Sequence, residues 1–156
     1  MAGRRASAGH TCIEAVRHSK IRLADPGTAR RALLLNPERA RIRRIRMDGC
    51  FAPRNSVAAD FVASKPQLVD VIVELKGKNV DHAVEQVEAT WRFWSGHAEH
   101  ERGQPIGAWI MCSEYPKASL KVARYRESFR ARGSILLIST HNGEERPFTD
   151  FLPRHP

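Results

Sequence analysis

The sequence predicts an α/β protein with a mixed central sheet flanked by helices, in the element order αβββαβαβ. Three short strand-like segments joined by turn residues predict an antiparallel meander. Helical and strand patterns then alternate, which predicts a β-α-β-α-β unit with right-handed crossovers. The predicted strands cover residues 41–47, 57–62, 69–76, 106–112 and 134–139, and the two main helices cover residues 80–94 and 116–132.

A short helix is expected to open the fold. Thr11 precedes residues 12–17, and Glu14 follows it by three positions, as in a capping box. Before this helix, residues 1–10 are small, polar and basic, so we expect them to form a flexible arm. Residues 11–156 are long enough to bury a core and are expected to form one domain.

Turn residues divide the segments that follow. Asp25-Pro-Gly and Asp48-Gly both predict tight chain reversals. Residues 29–35 fit either a helical turn or a strand. Cys50 and Phe51 are expected to begin a further strand after the second turn.

The helix that begins after Asn79 has the clearest pattern in the chain. Its apolar residues repeat at 4-3-4-3 spacing, which places them on one stripe facing the core. In the second helix, one apolar face is expected to point inward, and the aromatic tail is expected to dock on the body. The stripe is Val80, Val84, Val87, Trp91 and Trp94; the second set is Leu120, Ala123 and Phe129; the docking residues are Phe148, Phe151 and Leu152.

Positive charge is concentrated at the start of the chain. Residues 1–46 hold twelve Lys and Arg against three acidic residues, so this segment carries a charge equal to the whole net charge of +9. Such asymmetry predicts a polyanionic partner, most often nucleic acid. A solubilising basic arm is the alternative explanation.

Cysteine content and hydropathy predict a cytoplasmic protein. Cys12, Cys50 and Cys112 are odd in number and form no C-x-x-C pair, which argues against a disulfide framework and structural zinc. No apolar run approaches a membrane span, and the first ten residues lack the apolar region of a secretory signal. We therefore expect no membrane association.

Residues 69–76 organise the rest of the chain. The segment is apolar and β-branched, and it ends with Glu74 and Lys76, which project to the same face because side chains alternate along a strand. Burying that pair is costly without a partner or a task. With Asp60 on the preceding strand, the residues form a D-x13-E-x-K pattern, and two carboxylates on neighbouring strands could bind Mg²⁺ or Mn²⁺. The Leu75 carbonyl is a candidate third ligand.

This pattern resembles the PD-(D/E)-x-K nuclease superfamily, which has the restriction-endonuclease-like fold. Residues 71–86, Val-Ile-Val-Glu-Leu-Lys-Gly-Lys-Asn-Val-Asp-His-Ala-Val-Glu-Gln, also resemble a small bacterial group within it that shares an Asp-Gly-Cys turn, here residues 48–50. The likeness spans residues 11–139. One residue departs from the family pattern, since Ala59 stands where a Pro is usual before the Asp.

The resemblance implies a role for each matching residue. Asp60 and Glu74 would be metal ligands, Lys76 the catalytic lysine, and Gln86 the helix glutamine found near the site in several branches. Glu14 would match a first-helix acid of one branch.

Asp48 is an alternative acidic ligand to Asp60, although its Asp-Gly context is typical of a simple turn.

The function that the resemblance implies is a divalent-metal-dependent DNA endonuclease acting on double-stranded DNA, as a homodimer or within a larger defence or repair complex. The alternative is a catalytically inactive subunit that binds nucleic acid or protein.

Overall fold

The computed structural model describes residues 12–75, 79–114 and 119–153, and these contain nine strands and two α-helices. The protein is a mixed α/β structure, which confirms the predicted fold class at that level. The strands are β1 Ile13–Val16, β2 Lys20–Ala24, β3 Arg31–Leu35, β4 Ile42–Arg46, β5 Phe61–Lys65, β6 Val69–Leu75, β7 Ile106–Met111, β8 Leu136–Ser139 and β9 Glu145–Pro147, and the helices are α1 Val80–Ser95 and α2 Leu120–Ala131.

The main sheet has six strands in the order β1-β4-β5-β6-β7-β8. Neighbours from β1 to β6 run antiparallel, whereas β6, β7 and β8 run parallel. The predicted antiparallel meander over β4, β5 and β6 is therefore confirmed. Its middle strand covers residues 61–65 rather than the predicted 57–62, so Asp60 precedes the strand. The predicted alternation of strands and helices after β6 is confirmed as well, because α1 connects β6 to β7 and α2 connects β7 to β8.

Two hydrophobic clusters lie on opposite faces of this sheet. Residues of β6 alternate between them, with Ile72 in the cluster under the two helices and Val71 and Val73 in the other. The second cluster also contains residues of a smaller sheet, β2-β3-β9, and of the short 3₁₀ turn Phe148–Phe151. Every residue of β6 is buried, because both faces of the strand are covered.

The predicted opening helix is wrong, since residues 13–16 form β1. This strand pairs antiparallel with β4 from Ile13 opposite Ile45 to Val16 opposite Ile42. Ile13 packs against one hydrophobic cluster and Val16 belongs to the other. A strand places residues three apart on opposite faces, whereas a helix would place both on one stripe. Packing on both sides of the sheet therefore outweighs the local capping signal.

Other predictions for the first third also need correction. Residues 29–35, left open between helix and strand, contain β3, and the sequence did not predict β2 or β9. Cys50 and Phe51 belong to a tight turn over Met47–Phe51 rather than to a strand. The predicted Asp48-Gly reversal is confirmed, because Gly49 has φ of 72° at the position of a type II turn that requires a positive φ.

The prediction of which residues of the second helix point inward was partly wrong. Phe129 is fully buried as expected, but Leu120 is 77% exposed and Ala123 is also exposed. Val122 takes the inward position instead. In the tail, Phe148 and Phe151 are buried and confirm the expected docking.

The expectation of no disulfide is contradicted by a bond between Cys12 and Cys50. Pairing of β1 with β4 brings the two residues together, since the amide of Arg46 donates to the carbonyl of Cys12. The sequence-based prediction failed because it treated residues 12–17 as a helix, which hid this proximity. Cys112 is free and buried.

Candidate functional site

Two carboxylates predicted to converge do so at the end of β6. The amide of Asp60 donates to Glu74 Oε1 at 3.1 Å, and the amide of Leu75 donates to Asp60 Oδ2 at 2.8 Å. Both hydrogen bonds run from a backbone amide to a carboxylate oxygen, and they hold the Asp60 and Glu74 side chains beside each other. Glu74 is only 2% exposed, so the pair lies at the boundary between the core and the surface.

Helix α1 fixes the backbone that carries Asp60. Thr90 Oγ1 accepts a hydrogen bond from the amide of Ala59 at 2.7 Å, and Gln86 Nε2 donates to the carbonyl of Ala58 at 3.1 Å. Gln86 therefore lies near the site, as predicted, and acts on the segment before Asp60. Its buried Oε1 has no hydrogen-bond partner among the described residues.

Asp60 opens into a pocket of about 240 Å³ that two further aspartates line. Asp48 reaches it because the amides of Met47 and Asp48 donate to the carbonyls of Asp60 and Ala59. Asp25 follows β2 and approaches from the smaller sheet. The sequence treated Asp48 as an alternative to Asp60, whereas the structure places both on one pocket.

The surroundings of Asp60 favour its protonated form. Burial raises the pKa of the Asp60 carboxyl, and the negative charges of Asp25 and Asp48 raise it further. Hydrogen bonds from the Leu75 amide and with Glu74 act in the opposite direction but do not cancel the rise in this pKa. A cation in the pocket would offset the charge repulsion that favours the protonated form of Asp60.

The remaining predicted residues have different outcomes. Lys76 lies outside the described residues, so its catalytic role stays a prediction. Leu75 provides an amide to Asp60, and the ligand role of its carbonyl also stays a prediction. Glu14 lies on β1 rather than on a helix, and both of its carboxylate oxygens accept from Arg44 Nη2. It lines a neighbouring pocket that Asp60 does not line.

The donor set fits a hard cation that keeps several waters, but it is sparse. Within residues 12–75, 79–114 and 119–153, no group of three or more His, Cys, Asp or Glu is arranged to hold a metal ion. Mg²⁺ commonly binds through one or two carboxylates, with waters and substrate oxygens completing its shell. Asp60 and Asp48 line the same pocket, and Glu74 contacts Asp60 without lining that pocket.

A buried aspartate at the opposite end of β6 was not assigned a role from the sequence. Asp70 is completely buried, and its carboxylate is hydrogen-bonded to three side chains. The signal was its position inside an apolar strand, because a buried carboxylate needs several partners. The contacts are from Trp94 Nε1 at 2.7 Å, His100 Nδ1 at 2.8 Å and Gln104 Nε2 at 2.6 Å.

Comparison with known proteins does not assign the chain to a family. It matches no protein-family model, and no curated protein or solved structure is significantly similar to it. Of the helices in the described ranges, none is both long and apolar enough to span a membrane. Function must therefore be argued from the site itself.

Proposed function

We propose that this protein is a divalent-metal-dependent endonuclease that hydrolyses phosphodiester bonds in double-stranded DNA. The observation that carries the proposal is the contact of Asp60 with Glu74, in which the Asp60 amide donates to Glu74 Oε1 near the end of a fully buried strand. Two carboxylates in contact, one with a raised pKa, are the arrangement that a bound dication stabilises. Buried carboxyl groups with perturbed pKa values also cluster at functional sites in general.

The arrangement of strands supports the nuclease resemblance. The segment from β4 to β8 follows the predicted order of elements along the chain, and the acidic pair lies where β5 begins and β6 ends. The described chain departs from the family pattern in its first element, which is β1 rather than a helix. We propose a restriction-endonuclease-like core with this modified edge.

Each residue of the site has a defined proposed task. Asp60 and Glu74 would hold Mg²⁺ or Mn²⁺, with the Leu75 carbonyl as a further ligand. The bound ion would neutralise phosphate charge and lower the pKa of an attacking water. Gln86 and Thr90 hold the 58–59 backbone and thereby position Asp60. Lys76, next after Leu75 in the sequence, would offset negative charge on the reacting phosphate.

Plasmid cleavage tests the proposal directly. Supercoiled plasmid is incubated with the protein and Mg²⁺ or Mn²⁺, and nicked and linear products are quantified. Asp60→Asn, Glu74→Gln and Lys76→Ala should each lower the rate at least about 100-fold, because each removes a charge used in the reaction. Glu127→Gln is the matched control, since Glu127 is an exposed acid on α2. A wild-type rate equal to that of all three variants refutes catalysis.

A non-catalytic subunit is the second candidate. The absence of a group of three metal-ligating side chains among the described residues favours it. It would bind nucleic acid or a protein through the same fold without cleaving it. DNA binding without metal-dependent cleavage, unchanged by Asp60→Asn, is the result that selects this alternative.

A further inference from the structure

A concave groove lined by arginines adjoins the acidic pocket. It has a volume of about 510 Å³ and lies on the sheet face away from the two helices. We call it the arginine groove. Its lining residues are Cys12, Glu14, Arg22, Ala24, Arg44, Arg46, Cys50 and Phe61.

Strand pairing explains why the arginines gather there. Arg44 and Arg46 are two positions apart on β4, so they project to the same face. That face is the one on which Phe61 packs, because Arg46 lies opposite Phe61 in the antiparallel ladder. Arg22 comes from β2 of the smaller sheet. Its backbone carbonyl accepts a hydrogen bond from Arg44 Nη1 at 2.7 Å. Two sheets therefore supply the walls of the groove.

The three arginines are not equivalent. Arg44 is held by Glu14 and by the Arg22 carbonyl, so its charge is already paired within the protein. Among the residues that the structure describes, neither a hydrogen bond nor an ion pair engages the guanidinium groups of Arg22 and Arg46. Both side chains are exposed. Two unpaired guanidinium groups in one concavity attract a polyanion and can bind phosphate oxygens bidentately.

The arginine groove and the acidic pocket are continuous. Arg46 and Phe61 line both of them, so the groove begins where the pocket containing Asp60 ends. A nucleic-acid strand with one phosphate beside the acids would therefore place flanking phosphates in the groove. Opposite charges in the two adjoining spaces give the strand a preferred position, with the dication at the acids and phosphate at the arginines.

We propose that the arginine groove is a phosphate subsite that binds the nucleic-acid backbone next to the cleaved bond, through Arg22 and Arg46. The proposal rests on the proposed function for the position of that bond. Phosphate contacts position a strand without reading its sequence, so this subsite supplies affinity and register rather than base preference. Binding through it depends strongly on salt, because each phosphate contact releases condensed counterions.

The test measures binding without metal, so that it is independent of cleavage. Fluorescence anisotropy follows a labelled DNA duplex titrated with protein in EDTA over a series of salt concentrations. Loss of two phosphate contacts in Arg22→Ala/Arg46→Ala should reduce the salt slope by about 2 and weaken binding about 60-fold near 0.1 M salt. Arg124→Ala/Arg130→Ala, which also removes two positive charges, is the charge-matched control, since both residues are exposed on α2. Its effect should be less than about threefold.

The outcomes separate this proposal from the proposed function. Any of three results overturns the subsite. The Arg22→Ala/Arg46→Ala variant binds like wild type, the control variant loses as much affinity as that double variant, or the wild type does not bind duplex at low salt. Groove-dependent binding together with absence of cleavage supports the subsite and refutes the endonuclease. Arg22→Lys/Arg46→Lys should retain most of the salt slope while losing part of the affinity, because lysine keeps the charge but not the bidentate fork. Thermal unfolding checks that each variant is folded.

Discussion

Reduction of the bond between Cys12 and Cys50 should cost the protein a large share of its stability. The two residues are 38 positions apart, so the bond closes a long loop in the unfolded chain. The chain-entropy relation for a loop of that length gives about 4 kcal/mol at 25 °C. For a protein of this size we expect the melting temperature to fall by about 10 °C on reduction.

The assay has two stages. Thiol titration in denaturant should find one reactive thiol, from Cys112, before reduction and three afterwards. Urea unfolding is then followed by circular dichroism with and without dithiothreitol. Cys12→Ala/Cys50→Ala is the matched variant: it should have the stability of the reduced protein and should not respond to dithiothreitol.

Two results would refute this reasoning. Three reactive thiols in the untreated protein would mean that the bond does not form in solution. If the bond opens but the free energy of unfolding changes by less than about 1 kcal/mol, the loop is constrained by other contacts in the unfolded state. Pairing of β1 with β4 should itself survive reduction, because its four residue pairs do not depend on the bond.

Three further predictions concern particular positions. Folding raises the pKa of Asp60, so its stabilising contribution is complete below the unfolded pKa and is lost as pH rises through the folded pKa. In EDTA, Asp60→Asn should therefore unfold at higher urea than wild type near about pH 8, and the difference should shrink toward about pH 4; equal midpoints at both pH values would contradict the raised pKa. Asp70→Ala should cost at least about 3 kcal/mol in urea unfolding, because three side-chain donors each lose their contact with the buried carboxylate. A loss below about 1 kcal/mol would mean that the network contributes little. Gly107→Ala should cost about 1–3 kcal/mol, since its new Cβ would lie 2.7 Å from Phe151 Cβ. The cost should fall in a Phe151→Gly background, which lacks that Cβ, and an equal cost there would show that the clash is not the cause.

Predictability differed between the two halves of the fold. The β6 strand, the Asn79 cap and the stripe of α1 were predicted correctly, because each has a period or an end signal that local sequence contains. The first third was predicted poorly. Its strands are short, β4 alternates imperfectly between Arg and Ile, and β1 and β3 pair with segments distant in the chain.

The candidate site shows the same division. The juxtaposition of Asp60 and Glu74 followed from a spacing that places neighbouring strand ends together. Asp25 was recognised only as part of a turn, because no sequence pattern joins the end of β2 to the start of β5. The arginine groove also has no sequence signature, since β2 and β4 belong to different sheets.

The amino-acid order alone determined the apolar strand that ends in Glu74, the helix that follows it and the excess of positive charge in the first third. Tertiary structure decided that residues 13–16 pair as a strand, that Cys12 meets Cys50, and that unpaired arginines lie beside the acids. The physical reason is the sequence separation over which each interaction acts. Periodicity and capping act within a few residues, whereas strand pairing and charge clustering depend on distant segments that only folding brings together.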